Sequence, residues 1–463
     1  MENLVAHFFN GLKGKKIALC GVGVSNAPLA EKFSDYGAHV IICDKRAKEE
    51  LTHLSEKVKN SDIEYKLGDG YLDDLQVDII VRSPGAYFNL EKLCQYRKQG
   101  VVVTSEMELF FDLCPAKIIA VTGSNGKTTT TTIISELLKK QGKKVYLGGN
   151  IGKALLPLVE EMTPDDFAVV ELSSFQLISM RKSPDIAVIT NIAPNHLDVH
   201  SDMAEYINAK RNIYLHQNAF SRTVLNLEDD IVSSFSKDAR GHTLFFSRHN
   251  KPAYGAYMAE NGDIFMSVGG NDTFIMNRSI IRIPGNHNVE NYLAAISAVW
   301  GFVDISSICA VAQEFNGVEH RAEFVRTVGG VRYFNDSIAT APSRTMQGTL
   351  SLYDKKIILI AGGYDKNIPF DELGYAIAEK VKTVVLIGVT AQKIYQAIIN
   401  AKNYSEGNPQ ILFANDMASA VKMASKVAQD GDIVSLSPAC ASFDMYPNFE
   451  ARGKHFKEII VSM

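Results

Sequence analysis

A chain of 463 residues is too long for one hydrophobic core, so two to four domains are expected. Hydrophobic residues at 46% and charged residues at 22% are ordinary for a soluble globular protein, and a net charge of -4 supplies no field for holding a nucleic-acid backbone. The six cysteines include no CxxC pair, which excludes a zinc ribbon or thioredoxin-type site; no run of about 18 apolar residues predicts a membrane span, and no signal peptide opens the chain, so a cytoplasmic protein is expected.

In chain order, short β-branched runs alternate with helical-period segments, the pattern of an α/β protein. The first strand, Lys16 to Cys20, leads into the turn Gly21-Val-Gly23-Val24-Ser25-Asn26 and a helix through about Tyr36. Ala38 to Cys43 is a second strand ending on Asp44, and Val77 to Val81 a third that breaks at Ser83-Pro-Gly85. This is a doubly wound pattern, but Asn26 stands where a dinucleotide fingerprint has its third glycine. The turn is read as holding a nucleotide or sugar phosphate, with a purely structural turn as the alternative.

A second unit opens at Lys117-Ile-Ile-Ala-Val121 and runs into Thr122-Gly123-Ser124-Asn125-Gly126-Lys127-Thr128. A glycine loop between a buried strand and a helix presents backbone N–H groups and the positive end of the helix dipole to phosphate oxygens. Lys127 would reach the β- and γ-phosphates of ATP and the Thr128 hydroxyl would ligate Mg²⁺. Val121 occupies the place of the usual first glycine, so the loop is tighter than in most P-loop proteins. Strands are expected at 144–147, 167–171 and 186–191, a small antiparallel patch between about Asn218 and Pro284, and a helix over Asn288 to Phe302. A third unit from near Gly330 has strands at 356–360, 383–387 and 432–436.

Glu171 closes a strand beside the P-loop strand, and His196 follows another strand end, so both are candidate Mg²⁺ ligands. Lys210 by itself reads as a solvated lysine, because an ammonium group cannot ligate a metal.

Together these motifs resemble the Mur ligases of peptidoglycan synthesis. Thr122 to Thr128, Gly148-Gly-Asn150-Ile-Gly152, Glu171-Leu-Ser-Ser-Phe-Gln176, Asn191 to His196, Asn286-His-Asn288, Glu319-His-Arg321 and Asn335-Asp336-Ser337 occur in the family's order. Ser437-Pro-Ala-Cys-Ala-Ser442-Phe-Asp444 and Asn448-Phe449-Glu-Ala-Arg452-Gly453 are most like the branch that adds D-glutamate. A folylpolyglutamate synthetase or a ligase for another amino acid is the nearest alternative, and an NAD-binding protein a more distant one.

The resemblance implies three domains: a Rossmann-like acceptor domain over 1–112, a P-loop ATPase-type α/β domain over 113–325 and a Rossmann-like amino-acid domain over 326–463. It implies a monomer that joins D-glutamate to UDP-N-acetylmuramoyl-L-alanine through an acyl phosphate, using ATP and two Mg²⁺ ions. ATP would meet Gly123 to Thr129 (including Lys127, Thr128 and Thr129), Asn288, Arg321 and Asp336. Gly23, Val24, Ser25, Asp44, Lys45, Arg46, Ser83, Gly85, Asn150 and His196 match the acceptor positions. Thr340, Lys366, Ser442 and Phe449 match those around D-glutamate. Thr128, Glu171 and His196 would hold metal together with Lys210, which matches the family's carbamylated lysine but lies one residue closer to His196. A second departure is Ile338, where the family often has lysine; either Arg344, a few residues on, supplies the missing charge or the contact is absent.

Overall fold

The apolar run Lys16–Cys20 forms β1, the central strand of a parallel sheet. The structure, a computed structural model, describes residues 4–23, 25–51, 63–194 and 199–463. Within them β1 is joined by β2 (His39–Asp44), β3 (Glu64–Leu67), β4 (Ile79–Arg82) and β5 (Val102–Ser105), in the order β3-β2-β1-β4-β5. The strand order reverses between β1 and β4, where a doubly wound sheet opens a crevice for ligands. The turns after β1 and β4 meet there so closely that a Cβ on Gly21 would lie 2.3 Å from Ser83 Oγ.

A second parallel sheet follows: β6 (Lys117–Thr122), β7 (Val145–Gly149), β8 (Phe167–Glu171), β9 (Ile186–Ile189), β10 (Arg222–Asn226) and β11 (His242–Phe246). Its order, β11-β10-β9-β6-β8-β7, puts β6 between β9 and β8 and so creates a second crevice at their C-terminal ends. The expected antiparallel patch is correct only for β12 (Tyr254–Met258), β13 (Asp263–Val268) and β14 (Asn271–Asn277). The segments before it, β10 and β11, extend the parallel sheet instead; β10 is an almost wholly buried run, which periodicity alone cannot assign to a sheet.

One apolar core serves the first two sheets, running from Phe9, Leu19 and Phe33 through Phe110 and Leu155 to Ile189 and Tyr214. Glu106, in the helix that links the sheets, is buried within this seam, and its Oε1 accepts the N–H groups of Leu155 and Leu156, both at 2.8 Å. These sheets belong to one compact unit, residues 1–280 and 289–311.

The other unit comprises residues 281–288 and 312–463. Its sheet contains β15 (Glu323–Val328), β16 (Val331–Asn335), β17 (Ile357–Gly362), β18 (Val381–Ile387), β19 (Gln410–Phe413) and β20 (Ile433–Leu436), in the order β15-β16-β20-β17-β18-β19. All pairs are parallel except β15 with β16, a hairpin that turns at Gly329-Gly330 with φ of 54° and 76°. Among the described residues no helix is long and apolar enough to cross a membrane.

Candidate active site

The loop after β6 can be built only with glycine at two places. A Cβ on Gly123 (φ 147°) would fall 1.9 Å from Thr190 Oγ1, and one on Gly126 (φ 80°) 2.6 Å from Asn291 Oδ1. The segment after β9 grips the loop: Ser124 N–H donates to Asn191 O at 2.8 Å and Asn125 N–H to Asn191 Oδ1 at 2.9 Å. Thr190 Oγ1 donates to Asn125 O at 2.6 Å. Gly126 then opens the helix Lys127–Lys140 with no side-chain cap, so the positive end of that helix faces the crevice. Lys127 Nζ folds over the loop onto Gly123 O and Ser124 O, both at 3.0 Å. Thr128 and Thr129 are half-buried in the first helical turn.

Beside the loop, Asn150 donates from Nδ2 to Glu171 Oε1 and from its backbone N–H to Glu171 O, each at 2.8 Å. Glu171 is 1% exposed, and its other oxygen, Oε2, is buried without a hydrogen-bond partner. A bare carboxylate oxygen in such a place suits a cation. Lys210 is not the solvated lysine that its sequence context suggests: it is 2% exposed. Its Nζ donates to Gly123 O at 2.8 Å and Thr122 Oγ1 at 3.3 Å, and lies 4.8 Å from the centre of the Tyr206 ring. Burial, reinforced by the charge of Lys127, holds the Lys210 amine well below the usual lysine range, with Glu171 opposing. His196 and Val24 lie outside the described residues. Among the described residues no three His, Cys, Asp or Glu side chains converge on a metal position; the expected set of Thr128, Glu171 and a modified Lys210 is not of that composition.

At the first crevice, Asp44 Oδ2 accepts the Val22 N–H at 2.9 Å and its two oxygens take Arg46 Nη2 at 2.7 Å and Nε at 2.9 Å. Burial pushes this carboxyl up, but the hydrogen bonds from Arg46 and the Val22 N–H outweigh it and bring the pKa down to about 2. Gly23, Ser25 and Ser83 are half-buried around the turn, and Lys45 and Gly85 are exposed. Asn26 is fully buried and donates from Nδ2 to Gly21 O at 3.0 Å and Val81 O at 3.1 Å. The residue in place of the third glycine therefore ties the two turns together.

In the other unit, Asn288 Nδ2 donates to Pro284 O at 2.6 Å, and Arg321 is exposed. Asp336 is buried, its carboxylate accepting Thr349 Oγ1 at 2.7 Å, Ser437 Oγ at 3.1 Å and the Ala322 N–H at 3.2 Å. Burial lifts its pKa to about 6 against those hydrogen bonds. Thr340 is half-buried, Lys366 exposed, Ser442 buried, and Phe449 makes a T-shaped contact with His320 at 6.0 Å. Arg452 stands in the Asn448-to-Gly453 motif, where the sequence alone assigns it no role. It is wholly buried and donates to Ser337 Oγ at 3.0 Å, Ser337 O at 2.8 Å, and Cys440 O and Ala441 O at 3.1 Å each. One guanidinium thus fixes the segments that carry Thr340 and Ser442. A signal existed in the sequence, an arginine inside a motif next to a glycine, but its burial was not visible.

The chain matches the Mur ligase middle domain over residues 121–299 and the Mur ligase, glutamate ligase domain over residues 320–440. It is 48% identical over 466 aligned residues to the UDP-N-acetylmuramoylalanine--D-glutamate ligase of Acetivibrio thermocellus, covering 100% of both chains. The Clostridium kluyveri protein of the same name is 46% identical, with 98% of each chain covered. In fold it is similar to the UDP-N-acetylmuramate-alanine ligase of Thermotoga maritima, with a TM-score of 0.56, 17% identity, and 97% of this chain and 99% of that one covered. MurF of Acinetobacter baumannii gives a TM-score of 0.56 at 15% identity, with 97% and 92% covered. With two domain matches and near-half identity along its whole length, the chain belongs to the Mur ligase family and is an ATP-using ligase.

Proposed function

We propose that the chain joins D-glutamate to UDP-N-acetylmuramoyl-L-alanine at the expense of ATP, as a monomer in the cytoplasm. The observation that carries this reading is the full-length identity with ligases of that name. The geometry around Lys127, Glu171 and Lys210 supports it.

The acceptor carboxylate attacks the γ-phosphorus of ATP, forming an O–P bond as the bond to ADP breaks. The amine of D-glutamate then attacks the acyl carbon, phosphate leaves and the amine gives up a proton. Two anions must meet in the first step, so the helix N-terminus and the Lys127 ammonium offset charge on the phosphates. The first crevice, with Gly23, Ser25, Asp44, Lys45, Arg46, Ser83 and Gly85, takes the uridine and phosphates of the acceptor. Asn150 orients Glu171 towards the reacting end. In the other unit Asn288, Arg321 and Asp336 serve ATP, and Thr340, Lys366, Ser442 and Phe449 serve D-glutamate. Thr128, Glu171, His196 and a carbamylated Lys210 would hold two Mg²⁺ ions, which supply charge neutralisation for phosphoryl transfer. The bare Oε2 of Glu171 and the depressed Lys210 amine fit that role, because carbamate forms only on an unprotonated amine.

Phosphate release from ATP and Mg²⁺ with UDP-N-acetylmuramoyl-L-alanine, comparing D-glutamate, L-glutamate and no amino acid, tests the reading. Release that needs both the acceptor and D-glutamate is expected. Release with L-glutamate alone would change the substrate, and none under any combination would refute the reaction.

A further inference from the structure

Tyr87, Ser174, His200 and Glu205 form a hydrogen-bonded relay that none of the roles above uses. Tyr87 follows the Ser83-Pro-Gly85 turn, and Ser174 opens the short helix Ser174–Leu177, three residues after Glu171. Glu205 is in the first turn of the helix Met203–Leu215, which also carries Lys210. Tyr87 Oη donates to Glu205 Oε1 at 2.5 Å. Glu205 Oε2 faces His200 Nδ1 at 3.2 Å and accepts the Ser201 N–H at 2.9 Å. His200 Nε2 meets Ser174 Oγ at 2.9 Å.

The imidazole is 2% exposed and boxed by aromatic rings. Phe175 lies parallel to it at 5.0 Å, and Tyr87 and Tyr206 make T-shaped contacts at 6.4 Å and 5.4 Å. The Tyr206 hydroxyl continues to Ser124 Oγ of the P-loop at 2.9 Å. Burial raises the Glu205 carboxyl, but hydrogen bonds from Tyr87, the Ser201 N–H and His200 outweigh it and hold it below the usual range. An ionised Glu205 can only accept, so in the neutral ring Nδ1 carries the hydrogen and Nε2 is left for the Ser174 hydroxyl.

Serine, histidine and carboxylate in this order also make a nucleophilic triad. Here Ser174 is as enclosed as the imidazole, so its hydroxyl has no approach to an acyl group. What the relay can do is hold things in place. Resting on the proposed acceptor site, we propose that His200 is a positioning residue for the acceptor: through Glu205 and Tyr87 it fixes the turn after β4, and through Ser174 it fixes the segment that bears Glu171. One side chain would thus set the spacing between the acceptor's uridine end and its reacting carboxylate.

The test uses the full-length protein and steady-state phosphate release with each of the three substrates varied in turn. His200→Phe keeps the ring stack and removes both nitrogens; it is expected to raise the acceptor KM about tenfold, with the D-glutamate KM changed by less than about twofold. His200→Gln, whose amide reaches the Nε2 position, should recover part of that loss. Tyr87→Phe removes one hydroxyl at the half-buried end of the relay and provides the test should the histidine variants not fold. It should raise the acceptor KM about threefold, and add nothing in the His200→Phe background. An unchanged acceptor KM, or all three KM values shifted alike, would overturn the proposal. Ser83→Ala separates the two levels. If it raises the acceptor KM while the relay variants do not, the relay fails alone; if it too has no effect, the acceptor site was misplaced.

Discussion

At the Lys210 amine, burial and the charge of Lys127 act in the same direction, and Glu171 alone opposes them. Such an amine spends more of its time unprotonated than a surface lysine does, which is the condition for taking up CO₂. Lys210→Ala is expected to lose nearly all turnover and regain part of it when formate or acetate is added, because a small carboxylate can occupy the place of the carbamate. Failure of every short carboxylate to restore phosphate release would remove the carbamate from the mechanism. Glu106 presents the opposite case. Burial lifts its carboxyl from 4.5 to about 7, against the N–H groups of Leu156 and Leu155. The folded state keeps the proton up to about pH 7, while the unfolded chain releases it near 4.5. Between these values the unfolded state binds fewer protons, so stability falls as pH rises and is level above that window. Glu106→Gln retains an oxygen for both N–H groups and carries no charge. It should raise the unfolding free energy at pH 8 by up to ~3 kcal/mol and have little effect at pH 4, which thermal unfolding at the two pH values would show.

Elements decide where these groups stand. Strands β1 and β8 were legible to the residue, since β-branched runs end on glycine turns or a carboxylate at a strand tip. The unusual Val121 is explained by β6, which extends through Thr122 and keeps Val121 as a fully buried strand residue, so the loop starts only at Gly123. What holds that loop could not be read, because Thr190 and Asn191 are 65 and 66 residues away in sequence from the Asn125 they bind. The burial of Lys210 and Arg452 was hidden for the same reason: it arises from tertiary packing of residues whose type favours the surface. The β15–β16 hairpin was missed because its outer strand is half-exposed and lacks a continuous apolar run. Gly126→Ala combines a left-handed backbone with a 2.6 Å approach to Asn291 Oδ1. A loss of about 1–2 kcal/mol in stability is expected from the backbone alone, with phosphate release falling much further. Denaturant titration beside the activity assay would check both. The helix Pro342–Gln347 carries Arg344, which is exposed, while Ile338 is half-buried. If this arginine replaces the family's lysine, Arg344→Ala lowers kcat/KM by about tenfold or more, as loss of a charged contact to substrate does. Unchanged kinetics would dismiss it.

For the whole molecule, the division into two units cuts the sequence three times rather than once. The peptide 281–288 belongs to the unit that otherwise begins at Ala312. The Arg282 N–H donates to Ala312 O at 3.0 Å, its guanidinium lies 4.9 Å from the centre of the Phe324 ring, and Ile283 is buried. Residues 312–463 expressed alone should therefore unfold at lower temperature than the same residues preceded by 281–288 through a short glycine-serine linker. Equal melting temperatures in calorimetry would show that the octapeptide adds nothing. The same arrangement bears on how such enzymes exchange parts. A recombination that splices a foreign carboxy-terminal half at residue 312 leaves the resident octapeptide facing a partner it did not evolve with. The transferable module is discontinuous, so a chimera that exchanges this unit has to carry residues 281–288 along with 312–463.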